Sequence, residues 1–294
     1  MKQINSSAHT VTKKHAGDAH RLSRLEFIKS IAVVSGSLGL WLSGCTLGAA
    51  QGLENEGPLN VVDEWIRALN AADVAGFEKL HTETVFATSN IREEPYSGRE
   101  HVWEMYRTST GSQIEKITAF SQGQSICLLV NATKFSRSLC YVFNFVDGKI
   151  DRVYEYSSGQ YDLASSPQFS GIEVSTDDTG LQERLDAMNH MFVEGLNNRD
   201  FSVPDLTDSA IFFVPTSPEP LIGRDKIAND GEDYVRFFPD VIHREIQTFG
   251  QGNLICTHVV VEGAGVGSLC FVGEFQDGKI AELYEFWSDA RVEG

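Results

Sequence analysis

The 294-residue chain predicts an α+β protein in which one helix-then-sheet unit is written twice, and three observations carry that reading. The first is internal repetition, which fixes the architecture before any fold is considered. Phe120-Ser-Gln-Gly-Gln-Ser-Ile-Cys127 recurs as Phe249-Gly-Gln-Gly-Asn-Leu-Ile-Cys256, and Ser138-Leu-Cys-Tyr-Val-Phe-Asn-Phe-Val-Asp-Gly-Lys-Ile150 recurs as Ser268-Leu-Cys-Phe-Val-Gly-Glu-Phe-Gln-Asp-Gly-Lys-Ile280. The second is a change of period inside each copy, from helical spacing to β-branched and aromatic runs. The third is an Asp-Gly pair between two such runs, a strong hairpin signal because Gly accepts positive φ at little cost.

The elements follow in order. Val62, Trp65, Ile66 and Leu69 mark one face of an opening helix, as do Leu185, Met188, Phe192 and Leu196 in the second copy. Asn70-Ala-Ala-Asp73 and Asn197-Asn-Arg-Asp200 break those helices and cap a short following one. Gly98-Arg99 and Gly223-Arg224 precede another helical segment, which carries Trp103 and Tyr106 in the first copy. Ile126 to Val130 and Cys256 to Val261 then read as strands of an antiparallel sheet, closed by hairpins at Asp147-Gly148 and Asp277-Gly278. The predicted boundaries are a leader at 1–44, a linker at 45–57, a first unit at 58–163, a joint at 164–180 and a second unit at 181–294. The joint is rich in Ser, Asp and Gly and is expected to bury little.

The leader reads as an export address. A polar stretch ending in Arg21, Arg24 and Lys29 runs into an apolar segment, Ile31 to Leu42, and then into Leu42-Ser43-Gly44-Cys45. A dozen apolar residues fall short of the roughly 20 a membrane-spanning helix needs. Leu-Ser-Gly-Cys resembles the bacterial lipobox, which implies cleavage before Cys45 and lipidation of its thiol. Ser23-Arg24-Leu25-Glu26-Phe27-Ile28-Lys29 resembles a twin-arginine signal with its second Arg replaced by Leu. The expectation is an exported, extracytoplasmic protein held at the membrane by lipid.

Composition excludes other classes. Residues 45–294 carry 18 basic and 39 acidic groups, a net of −21, with no basic stripe, so nucleic acid is not an expected partner. No Cys/His spacing suggests a metal site and no Gly-rich loop suggests a phosphate cradle, so no metal or cofactor is expected.

Helix, Asn-x-x-Asp break, Gly-Arg, and a sheet ending in Asp-Gly-Lys-Ile resemble the NTF2-like superfamily and its SnoaL-like branch, twice over residues 58 to 290. Phe238-Pro239-Asp240 strengthens the likeness for the second copy. The resemblance implies two tandem cones, each a curved antiparallel sheet wrapped on its N-terminal helices around an apolar pocket. It also implies that the outer sheet faces pair, here as an intramolecular pseudo-dimer. A ketosteroid-isomerase mechanism is not implied: its tyrosine matches Trp65 and Phe192, its base Thr88 and Val214, and its oxyanion aspartate Tyr141 and Phe271.

What the pattern leaves is the last strand of each copy. Alternation puts Val153, Glu155 and Ser157 on one face, and Leu283, Glu285 and Trp287 on the matching face. By resemblance that face looks into the pocket, where a carboxylate among apolar walls could act as acid or base. Glu285 and Glu155 are therefore the candidate catalytic residues, with His258 and Tyr141 weaker candidates and His243 read as a surface or satisfied histidine. Candidate ligand-lining residues are Trp65, Trp103, Tyr141, Phe192, Val214, Phe271, Leu283 and Trp287. Two readings follow: a binder of a small, largely apolar molecule with isomerase-, dehydratase- or cyclase-type chemistry, or a non-catalytic interaction scaffold. Cys127 with Cys140 and Cys256 with Cys270 permit one disulfide per copy, against buried thiols.

Overall fold

A computed structural model describes residues 57–90, 92–107, 113–200, 205–263 and 267–290. The leader, Cys45 and the short helix expected after Asp200 lie outside them. The first half runs α1 (Gly57–Ala71), α2 (Val74–Leu80), β1 (His81–Ser89), β2 (Arg92–Ser97), α3 (Arg99–Arg107), β3 (Ile114–Gln122), β4 (Ser125–Ala132), β5 (Arg137–Val146) and β6 (Lys149–Ser157). The second half runs α4 (Leu181–Asn189), a π-helical stretch (His190–Gly195), a helical turn (Leu196–Asn198), β7 (Leu206–Phe213), β8 (Leu221–Ile222), α5 (Arg224–Phe237), β9 (Ile242–Gln251), β10 (Leu254–Glu262), β11 (Gly267–Gln276) and β12 (Lys279–Ser288). The fold class is α+β, with helices leading and antiparallel strands following in each half.

Local chemistry sets the ends of these elements. α1 buries Val62, Trp65, Ala68 and Leu69, a three-and-four spacing that keeps one face on the core. Ala72 turns the chain at φ 52°, and the Asp73 carboxylate then accepts from the Gly76 N–H at 3.0 Å, capping α2. Asn70 clamps the end of α1 to β3 by donating to the Ile114 carbonyl at 3.0 Å and accepting from its N–H at 2.9 Å. Asn197 makes the same pair of bonds with His243, each at 2.7 Å. Both hairpins place Asp and Gly at positive φ, 50° and 73° at Asp147-Gly148 and 52° and 75° at Asp277-Gly278. That sign at both positions matches the twist of the strands they join.

In each half the last four strands form an antiparallel meander, β3 to β6 and β9 to β12. Irregular registers at Lys116/Thr118 and Asn144/Phe145 in one meander, and at His258/Val259 and Glu274/Phe275 in the other, supply the bulges that curve the sheets. The sheets depart from a purely antiparallel pattern. β1 runs parallel to β6 and β7 parallel to β12, because α3 or α5 and the meander intervene before the chain returns.

Among the described residues three buried clusters result. One fills the first half around Trp65, Tyr141 and Phe143. Another fills the second half around Phe192, Phe271 and Leu283. The third packs outer-face residues of both sheets together, including Cys140, Tyr154 and Tyr156 from one half and Cys270, Tyr284 and Phe286 from the other. β6 and β12 pair at Ser157 and Trp287. At the far edge two bonds repeat with the halves exchanged: the Ser121 N–H donates to Gln251 Oε1 at 3.2 Å, and the Gly250 N–H to Gln122 Oε1 at 2.9 Å. Such reciprocity is the mark of a two-fold contact between like surfaces.

The joint is not loose. Phe169, Ile172 and Val174 pack against the shared cluster, Ser175 N–H donates to Asn253 Oδ1 at 2.8 Å, and Gly252 N–H donates to Asp178 Oδ1 at 2.8 Å. Among the described residues, no helix is long and apolar enough to cross a membrane.

Candidate functional site

The two cones differ in how they are filled. In the first, Trp65 meets Tyr106, Tyr141 and Phe143 edge-on, with ring centroids 5.2, 5.1 and 5.1 Å away. Phe77 adds a contact to Trp103 at 5.1 Å. Trp65, Trp103 and Tyr141 therefore fill this core and pack on one another. Glu155 lies on the cone face of β6, buried, accepting from the Tyr141 hydroxyl at 3.0 Å and the Asn90 N–H at 3.4 Å. Burial raises its pKa, and those two hydrogen bonds oppose the rise. Tyr141 is a buried partner of Glu155, its own proton held more firmly by burial and by that carboxylate.

Among the described residues the second cone borders a cavity, and the chain shows which side chains it lacks. Gly98 N–H bonds the Val85 carbonyl and Gly223 N–H the Ala210 carbonyl, so an offset of 125 holds from β1/β7 into α3/α5. Carried along those helices, the offset places Ala228 where the first half has Trp103, and Gly231 where it has Tyr106. Phe192 replaces Trp65 and stacks on Phe271, the counterpart of Tyr141, with centroids 3.8 Å apart and planes 12° from parallel. Beside that stack is a cavity of about 30 Å³ lined by Phe192, Phe271, Leu269, Gly231, Tyr234, His243 and Glu285, with Asp230 at its wall. Its volume suits about one water molecule.

The polar side of this cavity is ordered. His243 Nδ1 lies 3.1 Å from the Phe192 carbonyl, and Nε2 lies 2.9 Å from the Tyr234 hydroxyl. A carbonyl only accepts, so Nδ1 carries the proton, and bare Nε2 accepts from Tyr234. Burial lowers the His243 pKa to about 4, with the Phe192 bond opposing, so the ring is neutral near pH 7. In the first half the Asn clamp holds Ile114 where the second has His243. Glu285 sits opposite Phe271 across β11 and β12, and its backbone carbonyl accepts from the Tyr161 hydroxyl at 2.5 Å. The first half thus braces the strand that carries it.

Other sequence-predicted residues are placed differently. His258 is not at a cone: it is fully buried between the halves, 4.7 Å from the Tyr154 ring and 5.3 Å from Tyr156, and neither ring nitrogen has a partner. Burial lowers its pKa to about 3. Val214 and Leu283 belong to the second core, outside the cavity wall. The register also shifts the Val214 match: Phe213 faces Tyr284 as Thr88 faces Tyr154, so Val214 corresponds to Ser89. Trp287 lies beside Leu269 where β12 meets β6. Tyr234, Asp230 and Gly231 were not read from the sequence, and of the two readings of His243, surface or satisfied, the structure has the satisfied one. Among the described residues no set of three His, Cys, Asp or Glu side chains is arranged to hold a metal ion.

No family model matches the chain, and no curated protein matches it either. Solved structures do. A SnoaL-like protein of unknown function from Burkholderia thailandensis E264 aligns at 17% identity over 37% of this chain and 100% of its own, with a TM-score of 0.32. An NTF2-like protein of unknown function from Cytophaga hutchinsonii ATCC 33406 aligns at 17% identity over 34% and 88%, with a TM-score of 0.30. An NTF2-like protein from Burkholderia xenovorans LB400 aligns at 11% identity over 36% and 92%, with a TM-score of 0.31.

Proposed function

We propose that this is an exported, lipid-anchored protein of two paired NTF2-like halves, in which the second half binds a small, largely apolar molecule and the first serves as its scaffold. The observation that carries the division of labour is the replacement of Trp103 and Tyr106 by Ala228 and Gly231 beside a carboxylate. The cavity holds about one water as it stands, so binding a ring-sized ligand requires it to widen. Acid-base chemistry at Glu285, of the isomerase, dehydratase or cyclase kind, fits a carboxylate set against a phenylalanine stack and a neutral Tyr–His pair. Export and lipidation at Cys45 rest on the lipobox-like sequence, and mass spectrometry of the mature protein for a diacyl group on Cys45 tests them.

Thermal-shift titration with small cyclic ketones and phenols tests the binding. The intact protein is expected to be stabilised by at least one of them, and Gly231→Tyr, which restores the first-half residue, to lose that response while remaining folded. A response that survives Gly231→Tyr places the ligand elsewhere and sinks the reading. With a turned-over ligand in hand, Glu285→Gln is expected to lower kcat by roughly 100-fold or more with little change in ligand affinity, since the amide keeps the shape and loses the titrating proton.

A further inference from the structure

Four buried thiols meet where the halves touch. Cys127 Sγ is 3.6 Å from Cys140 Sγ, Cys140 is 3.5 Å from Cys270, and Cys270 is 3.5 Å from Cys256. All four are free and buried. They are two pairs of equivalents, Cys127 with Cys256 and Cys140 with Cys270, as expected of residues lying on the two-fold axis relating the sheets.

The direction of a bond between them is constrained by register. Cys127 stands opposite Val142 while Cys140 stands opposite Leu129, so the two are diagonal neighbours on β4 and β5. Cys256 and Cys270 are diagonal in the same way. Diagonal positions lie about 7–8 Å apart between Cα atoms, beyond the roughly 4.4–6.8 Å of a disulfide. Cys140 and Cys270, by contrast, each neighbour the place where the sheets join: Leu139 opposes Ser157 and Leu269 opposes Trp287, the two residues that pair β6 with β12. Face-to-face sheets usually stand about 10 Å apart, and here the Cys140 and Cys270 side chains reach across to bring their sulfurs to 3.5 Å. The surroundings are apolar, with Leu129, Val142 and Phe286 in the same cluster, which suits an uncharged disulfide better than a set of thiolates around a metal.

We propose that Cys140 and Cys270 form a disulfide that staples the first half to the second, made by exchange with a disulfide-form oxidant before the two sheets close over it. The thiolate of one cysteine attacks a sulfur of the oxidant's disulfide, giving a mixed disulfide and releasing one oxidant thiolate. The second cysteine's thiolate then attacks the protein sulfur and releases the other. Two S–H bonds become one S–S bond, and the oxidant's two sulfurs leave as thiols, carrying the two electrons and two protons. Burial in the closed cluster raises the Cys140 and Cys270 thiols, so the attacking thiolate belongs to the open stage, before the sheets close.

The test is refolding of the full, reduced chain in a reduced/oxidised glutathione buffer, alkylation of free thiols in denaturant, and peptide mapping without reduction. The expected product contains the Cys140–Cys270 peptide pair, with a thermal midpoint higher by roughly 10 °C than that of the reduced protein, since the link closes a long loop. Cys140→Ala is expected to lose both the link and the gain, and Cys127→Ala to keep both. Should Cys140→Ala fail to fold, mapping of the unaltered chain still decides. Four alkylated thiols, links confined to Cys127–Cys140 or Cys256–Cys270, or an equivalent of zinc released on unfolding would each overturn the proposal.

Discussion

Lowering the pH from 7 to 5 is expected to destabilise the folded chain by on the order of 4 kcal/mol, through three histidines that are buried as neutral rings. Burial holds His81 at about 4, His243 at about 4 and His258 at about 3. In the unfolded chain each titrates near 6.5. Their folded values are depressed, so the unfolded state binds more protons, and the stability present above pH 6.5 is lost as the pH falls toward the folded values. At pH 5 each ring costs about 2 kcal/mol. Glu274 works the other way: burial and the neighbouring Glu282 and Glu173 raise it to about 7, so its protonation in the folded state offsets part of the loss. His258→Leu isolates one of the three. It removes two ring nitrogens that have no partner, so stability at pH 7 is expected to hold or rise, while the drop to pH 5 shrinks by about 2 kcal/mol. Urea titrations at both pH values measure this, and a variant whose stability falls as steeply as the parent's refutes the assignment.

Trp65→Ala is expected to cost about 3–5 kcal/mol, the range for deleting a large buried aromatic. Trp65 is fully buried and touches three rings edge-on, so collapse around the gap is restricted on several sides. The void is apolar and enclosed, so added indole is expected to recover part of the lost stability. Phe192→Ala at the matching site is expected to cost less, because Phe192 already borders a cavity and Gly231 leaves one wall without a side chain. Denaturation midpoints with and without indole distinguish the two sites, and equal costs refute the claim that the cones are filled differently.

Much of this was legible in the residues themselves. Repetition with small drifts in offset shows where strands and turns recur, and the three-and-four spacing of Val62, Trp65 and Leu69 shows which face of α1 is buried. Alternation along β12 puts Glu285 with Leu283 on one face, and the cavity lies on that face. Less legible was the cavity itself, because it arises from side chains that are missing: Ala228 and Gly231 carry no signal until set against Trp103 and Tyr106. The pairing of Tyr234 with His243 joins a helix to a strand, and no periodicity within either element predicts it. His258 shares a face with Cys256, yet whether that face meets solvent or another sheet depends on tertiary packing. The joint buries little, as its composition suggests, but its anchors were not legible: Phe169, Ile172 and Val174, spaced among polar residues, are half-buried against the shared cluster.

The reciprocal bonds of Gln122 and Gln251 lie between two halves of a single chain. In a homodimer one coding change appears at both ends of the axis, so a cavity filled in one subunit is filled in the other. Here a tryptophan can close one cone while a glycine opens its counterpart, and the contact between the sheets carries on unaltered. One half is free to specialise as ballast and the other as workplace, a division that a symmetric pair of identical subunits has no genetic means to encode.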